Sequence, residues 1–378
     1  MEPVELQLIL GRARLSARRL RTAAERLRLP AEIAAVEALL GRPPEALRRL
    51  GLSPAACAWL SAPDQRLIER DRRWQERHGV TLLDTFDVAY PSRLAAISDA
   101  PALLYARGAA AALSAPQLAI VGTRMPTVPA HRTSMHWAGS LASAGLTITS
   151  GLALGIDAAA HHGALLAGGR TVAVLGSGLD QIYPERHERL AERIVASGAL
   201  LSELPPQTAP VRWSFPRRNR LISGLSLGTL VIEAACDSGS LSTARRARSQ
   251  GRLLFAMPGS IHNHQVRGCH QLIREGALLV QSATDILRAI RPFLLESEDI
   301  SMVSKRDRVT PKRLRLDKDQ KILLDALGFE PASIDTLVGR TGFPSHSVSS
   351  LLVTLQFAGA VGREPGGRFV RLFDERHG

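Results

Sequence analysis

Leu118-Ala-Ile-Val121-Gly122-Thr123-Arg124 is a short apolar run that stops at a glycine and gives way to a helical pattern reaching Ser143. The same unit recurs downstream. Leu146–Thr149 stops at Ser150-Gly151, passes Gly155-Ile-Asp157 and enters a helical pattern through Leu166. Thr171–Leu175 stops at Gly176-Ser177-Gly178, before a helix from Glu185 to Ala196. Ala199–Ser202, Thr229–Glu233, Leu253–Ala256 and Ala277–Val280 continue the series, and Leu103–Tyr105 leads into it. Asp237-Ser-Gly-Ser240 follows Glu233 and opens a helix to Gln250. Apolar runs of about four to six residues, alternating with helices of about ten to fifteen, predict an α/β fold: a parallel sheet with helices on both faces.

In such sheets ligands bind outside the carboxyl ends of the strands. The glycine turns therefore converge on one edge, and amides at a strand-to-helix turn favour anions. Just before Thr229 comes Trp213-Ser-Phe-Pro-Arg-Arg-Asn-Arg220, with Arg217, Arg218, Asn219 and Arg220 close together after Phe215. Alone, this is a solvated basic turn. Placed between strands that end in glycine turns, its arginine forks predict a groove for several phosphates in a row. The groove comprises Gly122, Thr123, Arg124, Ser150, Gly151, Gly155, Gly176, Ser177, Gly178 and Ser240, with the segment Phe215–Arg220 folding over the same edge.

Charge points the same way. The 378 residues carry a formal net charge of +13, and the pI is near 10.8. This balance predicts a polyanionic partner. No stretch approaches the ~18 apolar residues of a membrane span. The N-terminus Met-Glu-Pro-Val-Glu lacks a secretory pattern. Cys57, Cys236 and Cys269 are far apart and odd in number, which predicts reduced thiols in a cytoplasmic protein. Aromatics are only 4%, too few for a surface that works mainly by stacking bases.

Several chemistries lack their residues. Gly122-Thr-Arg124 is not G-x-G-x-x-G, no acid follows the second strand, and G-x-x-x-x-G-K-[ST] is absent. No nucleotide cofactor is expected. Asp157 and His161 share a helix face beside His162, with His262 and His264 elsewhere. One pair is no metal site, so no metal is expected either. Glu233 ends a strand where a catalytic acid could sit, without a second carboxylate or nucleophile required near it. No catalytic residue is assigned.

The flanks differ from the centre. Residues 1–80 read as short arginine-rich helices broken at Gly41-Arg-Pro-Pro44 and Gly51-Leu-Ser-Pro54. Residues 85–291 hold the sheet, and 292–316 form a charged linker. Residues 317–378 predict three helices, two of them capped by Ser333 and Ser345, and a hairpin turned at Gly366-Gly367. That pattern fits a winged helix, whose third helix, Ser345–Gln356, lacks arginine and lysine and so makes a poor DNA-reading helix.

Residues 118–287 resemble the DNA-processing protein A family (DprA, also called Smf). The resemblance is carried by Ala119–Arg124, Ser150–Asp157, Gly176–Asp180 with Tyr183-Pro184, Phe215–Leu225, Ser238–Ala244, Met257–Gly259 and Leu272–Ala277. It implies a Rossmann-like domain flanked by a sterile-alpha-motif-like helical domain and a winged helix. It also implies a homodimer that binds single-stranded DNA, protects incoming DNA and loads the RecA recombinase in natural transformation, without enzymatic activity. Arg124 and Phe215–Arg220 match the family's phosphate pocket. His187 and His270 stand where the family usually has asparagine, which bears on local hydrogen bonding. The alternative is a nucleotide-processing enzyme of the lysine-decarboxylase-like phosphoribohydrolase group. Gly228-Thr229 to Glu233 lacks the Pro-Gly-Gly lead of that group's motif.

Overall fold

A computed structural model describes residues 2–30, 32–295, 316–364 and 366–372. Most of the expected linker, 296–315, lies outside them; 292–295 instead continue the helix Ala283–Leu295. The sheet strands are β1 Val80–Asp84, β2 Leu103–Gly108, β3 Gln117–Gly122, β4 Thr147–Ser150, β5 Thr171–Val174, β6 Ala199–Ser202, β7 Gly228–Ile232, β8 Leu253–Ala256 and β9 Leu278–Leu279. Their order is β1-β2-β6-β5-β4-β3-β7-β8-β9. Pairing is parallel from β6 across to β9, whereas β2 runs antiparallel to β6, and β1 to β2. The chain walks outward from β3 to β6, then crosses to β7 on the other side of β3. That reversal opens a crevice beside the carboxyl end of β3, where ligands bind in open α/β sheets.

Strand alternation sorts the core. Leu118, Ile120, Leu230 and Ile232 face one layer, packed with Trp137, Leu141, Ile156 and Ile286. Ala119, Val121, Val172, Val174 and Val231 face the other, packed with Leu221, Leu225, Leu241 and Ala244. Both faces are therefore covered, as the near-continuous apolar strands require.

The N-terminal helices have no core of their own. Leu8, Ile9, Leu10, Cys57 and Leu60 share one cluster with Leu103, Tyr105, Ala173, Leu175 and Leu200. Gly11 lies so close to the Tyr105 hydroxyl that any side chain would collide with it. Backbone bonds seal the seam: Ala17 N–H donates to the Ala100 carbonyl at 2.8 Å, and Ala102 N–H to Leu15 at 2.9 Å. Trp74 Nε1 donates to Asp180 at 2.8 Å, tying the helix Gln65–His78 to the turn after β5. Strand β1, which lies at the junction of the two expected domains, joins these helices to the sheet.

Residues 317–372 form helices Lys318–Leu327, Ile334–Thr341 and Ser345–Phe357 and a hairpin of β10 Val361–Glu364 and β11 Arg368–Arg371. Asp317 and Gln320 make a reciprocal cap, and Ser333 caps the second helix. Ser345 caps nothing: Pro344 holds the cap position, and the serine is the first helical residue. Leu323, Leu327, Leu337, Leu352 and Phe369 give this part a separate core. It leans on helix Val128–Ser143, where Arg132 Nη1 donates to the Gly359 carbonyl at 3.1 Å. No described helix is long and apolar enough to cross a membrane.

Candidate nucleic-acid interface

The glycine turns do converge at the carboxyl ends of β3, β4 and β5, but most of their polar groups are occupied by the protein itself. Thr123 N–H donates to the Glu233 carbonyl at 2.8 Å, and the Thr123 carbonyl accepts from Ile156 N–H at 3.1 Å. Gly151 and Ala153 N–H both donate to Asp157 Oδ2, at 3.0 and 3.4 Å. Gly178 N–H donates to the Thr208 carbonyl at 2.9 Å. The glycines are there for close packing: a Cβ on Gly122 would strike the Ile232 carbonyl, on Gly155 the Thr123 carbonyl, on Gly176 the Phe215 ring, and on Gly178 the Pro205 and Pro206 carbonyls. The serines are buried too. Ser150 donates to the Ile120 carbonyl at 2.6 Å, Ser177 to that of Gln181 at 2.5 Å, and Ser240 pairs with Ser238 at 2.7 Å. The expected row of bare amides is thus largely a self-satisfied scaffold.

The arginine stretch differs more. It is the helix Ser214–Leu225, not a segment laid over the edge. Pro216 falls in the first turn, where its missing N–H costs nothing. Helical rotation of about 100° per residue splits the three arginines. Arg218 points into the sheet and is buried, its Nη1 donating to the Gly151 carbonyl at 2.8 Å and to that of Val174. Burial lowers its pKa to about 10, against the opposing pull of Asp157. Burial likewise raises the Asp157 carboxyl, while Arg218 and the Ala153 and Gly151 amides pull it back. Arg220, also buried, pairs with Glu203 at 2.5 Å and Asp99 at 3.2 Å. Arg217 pairs with Glu203 at 3.1 Å and keeps 38% of its side chain exposed. The three do not form one clamp, because Arg217 and Arg220 pair with Glu203 and Arg218 binds carbonyls inside the fold.

What the edge leaves open is narrower. Arg124 is exposed, and among the described residues its guanidinium meets no acceptor. It lies near enough to buried Arg218 to depress that group further. Phe215 is half-buried over Gly176, 5.5 Å from the Tyr183 ring. Tyr183 is 47% exposed and Trp213 54%, with the Arg14 guanidinium 5.7 Å from the Trp213 ring centre. Asn219 Nδ2 reaches Ser242 at 3.5 Å. Tyr183, Trp213 and Arg14 were missed from sequence: all three lie in readable stretches, but exposure of an aromatic is not encoded in its neighbours.

The other candidates are fastened. Glu233 accepts from Thr127 N–H at 2.7 Å and Thr127 Oγ1 at 2.9 Å, and from Asn263 at 3.3 Å. Burial raises its carboxyl despite these donors. His161 Nδ1 pairs with Thr171 Oγ1 at 2.7 Å while Asp157 serves the loop amides, so the two do not converge. His187 Nδ1 lies 2.9 Å from the Leu152 carbonyl and His270 Nε2 3.0 Å from that of Gly259. Both non-asparagine positions thus serve loop backbone. Among the described residues no group of three His, Cys, Asp or Glu could hold a metal ion.

Comparison with known proteins bears on the fold and the family. Residues 81–291 match the family model of the DNA recombination-mediator protein A, and residues 309–367 that of the DprA winged helix domain. Protein Smf of Escherichia coli is 40% identical over 331 residues, spanning 86% of each chain. The DNA processing protein DprA of Streptococcus pneumoniae is 45% identical over 201 residues, 53% of this chain and 71% of that one. Its X-ray structure superposes with a TM-score of 0.65 and 33% identity over 76% of this chain and 98% of that one. DNA processing protein A of Helicobacter pylori, described with a single-stranded DNA binding mode, gives a TM-score of 0.52 and 30% identity over 57% and 96% of the two chains.

Proposed function

The chain belongs to the family of the DNA recombination-mediator protein A, and from that premise we propose that it binds single-stranded DNA without regard to sequence. It does so as a cytoplasmic, non-enzymatic homodimer that protects incoming strands and passes them to RecA in natural transformation. The observation that carries the DNA part is Arg124: an exposed guanidinium without an acceptor among the described residues, near buried Arg218, at the crevice of the sheet. A phosphate there meets a fork that no carboxylate has claimed, in a field that a second arginine reinforces. Phe215 and Tyr183, at the carboxyl end of β5 on the same sheet edge, offer ring faces for bases. The named Helicobacter pylori relative supports the choice of a single strand. The exposed pair Leu278 and Leu279 on edge strand β9 supports pairing of two copies. Transfer to RecA and the place in transformation rest on the family resemblance. Against an enzymatic role, Glu233 is held by Thr127 and Asn263.

The test is titration of labelled oligothymidine by fluorescence anisotropy. Arg124→Ala should weaken binding about tenfold or more, the scale of one lost charge-assisted hydrogen bond, with an unchanged melting temperature. Parent affinity should fall with salt, at a log–log slope of about −0.7 per phosphate neutralised. A folded Arg124→Ala protein that binds like the parent overturns the reading.

A further inference from the structure

We propose that the cleft between the N-terminal helices and helix Ser214–Leu225 is a second phosphate-binding site, which takes the continuation of the single strand that leaves Arg124. The inference rests on the single-strand reading above.

The cleft has a volume of about 1280 Å³. Arg14, Arg18, Arg19 and Arg26 line it from the N-terminal side, and Arg217 and Arg246 from the sheet side. Few acids answer them. Asp99 pairs with Arg220 at 3.2 Å and approaches Arg246 at 3.9 Å, and Glu203 serves Arg217 and Arg220. Arg14, Arg18 and Arg19 meet no carboxylate among the described residues. Arg14 is half-buried, and its pKa is lowered first by burial and then by Arg217 across the cleft. Glu203 pulls Arg14 back in part, but two acids shared among so many arginines leave a surplus of like charge that a bound anion relieves.

Two further features favour a nucleic-acid backbone as that anion. The N-caps Ser16 and Ser53 both line the cleft, and helix Ala17–Arg26 runs along it, presenting Arg18, Arg19, Thr22 and Arg26. Trp213 stands beside Arg14 and two residues before Phe215, which in turn meets Tyr183. Two exposed rings, Tyr183 and Trp213, with half-buried Phe215 between them, thus stand beside Arg14 at the rim of the cleft and offer stacking faces to bases. An acidic peptide would use the charges and leave the rings unused. A membrane surface is flat and would not enter a cleft.

The full chain is titrated with oligothymidine of about six and of about thirty nucleotides, lengths near the short end of and well beyond the span of a typical single-strand site. The variant is Arg14→Ala/Arg18→Ala/Arg19→Ala. It should lose about tenfold or more in affinity for the long strand, with a salt slope shallower by about 2 for three phosphate contacts. Binding of the short strand should change less than about twofold. Since Arg18 and Arg19 are exposed, Arg18→Glu/Arg19→Glu serves as the second variant should the triple change unfold the protein. Long-strand binding should quench Trp213, and Trp213→Phe should remove that part of the signal. A folded variant that binds the long strand with parental affinity and slope overturns the second site. So does a polyglutamate peptide of equal charge that displaces the long strand as well as oligothymidine does. If the parent binds neither strand, the single-strand reading itself has failed, which is a different outcome.

Discussion

Arg124 and Arg218 lie on one edge of the sheet and have opposite tasks. Arg218 holds the Gly151 and Val174 carbonyls and stands opposite Asp157. Arg218→Ala would leave two buried carbonyls without their donor and should destabilise the fold by about 1–3 kcal/mol, the range for an unsatisfied buried group; urea unfolding measures it. A melt equal to the parent's would mean that the charge is not structural. His161 gives a pH test. Burial, with His162, His187 and Arg218 nearby, lowers its pKa to about 3 from an ordinary 6.5. The folded state therefore prefers the neutral ring. The stabilisation is complete above 6.5 and is lost as pH falls toward 3, because the unfolded chain takes up the proton first. Thermal melts should show His161→Asn flattening this acid limb relative to the parent. Asp157, whose raised carboxyl acts in the opposite sense, is common to both proteins and cancels. At this scale the sequence was least informative: three adjacent arginines look alike on paper, and only the helical turn decides which one is inside.

At the level of elements, the strands β3 to β8 were readable because each is a short apolar run buried in the sheet, and β3, β4 and β5 are closed by glycine turns; β9 was read from its apolar run alone, and its two leucines are exposed. Strand β1 was not. Val80-Thr-Leu-Leu-Asp84 follows a long arginine-rich helix without a break stronger than Gly79, and its partner β2 is distant in sequence. The helix Ser214–Leu225 was missed because Pro216 and a charge cluster read as a turn, although proline is at home in a first helical turn. The glycines were located correctly but given the wrong reason. A Cβ at Gly178 would meet two carbonyl oxygens, so Gly178→Ala should destabilise by about 1–3 kcal/mol through overpacking. The fraction that stays folded should bind oligothymidine normally. A selective loss of affinity at unchanged stability would restore Gly178 to the phosphate site.

For the molecule as a whole, the question is which parts stand alone. The winged helix has its own core, whereas the N-terminal helices complete theirs on Ala173, Leu175 and Leu200. Truncation after Leu295 should therefore leave the main calorimetric transition within a few degrees of the parent. Removal of residues 1–79 should yield aggregated protein, since it uncovers that face of the sheet. A soluble, cooperatively melting 80–295 fragment would contradict the shared core. Assembly gives one more test at this scale: Leu278→Asp with Leu279→Asp should convert a dimer to a monomer in light scattering at micromolar concentration, with melting little changed because both side chains are exposed. A parent that is already monomeric would refute the dimer.

The shared core also sets a schedule. Leu8, Ile9 and Leu10 leave the ribosome long before Leu175 and Leu200, the residues they must pack against, have been made. At about 5–20 residues per second, the helices wait on the order of ten seconds with their apolar faces uncovered. During synthesis the helices of residues 1–79 thus appear well before they can be finished, and their many arginines favour solubility meanwhile.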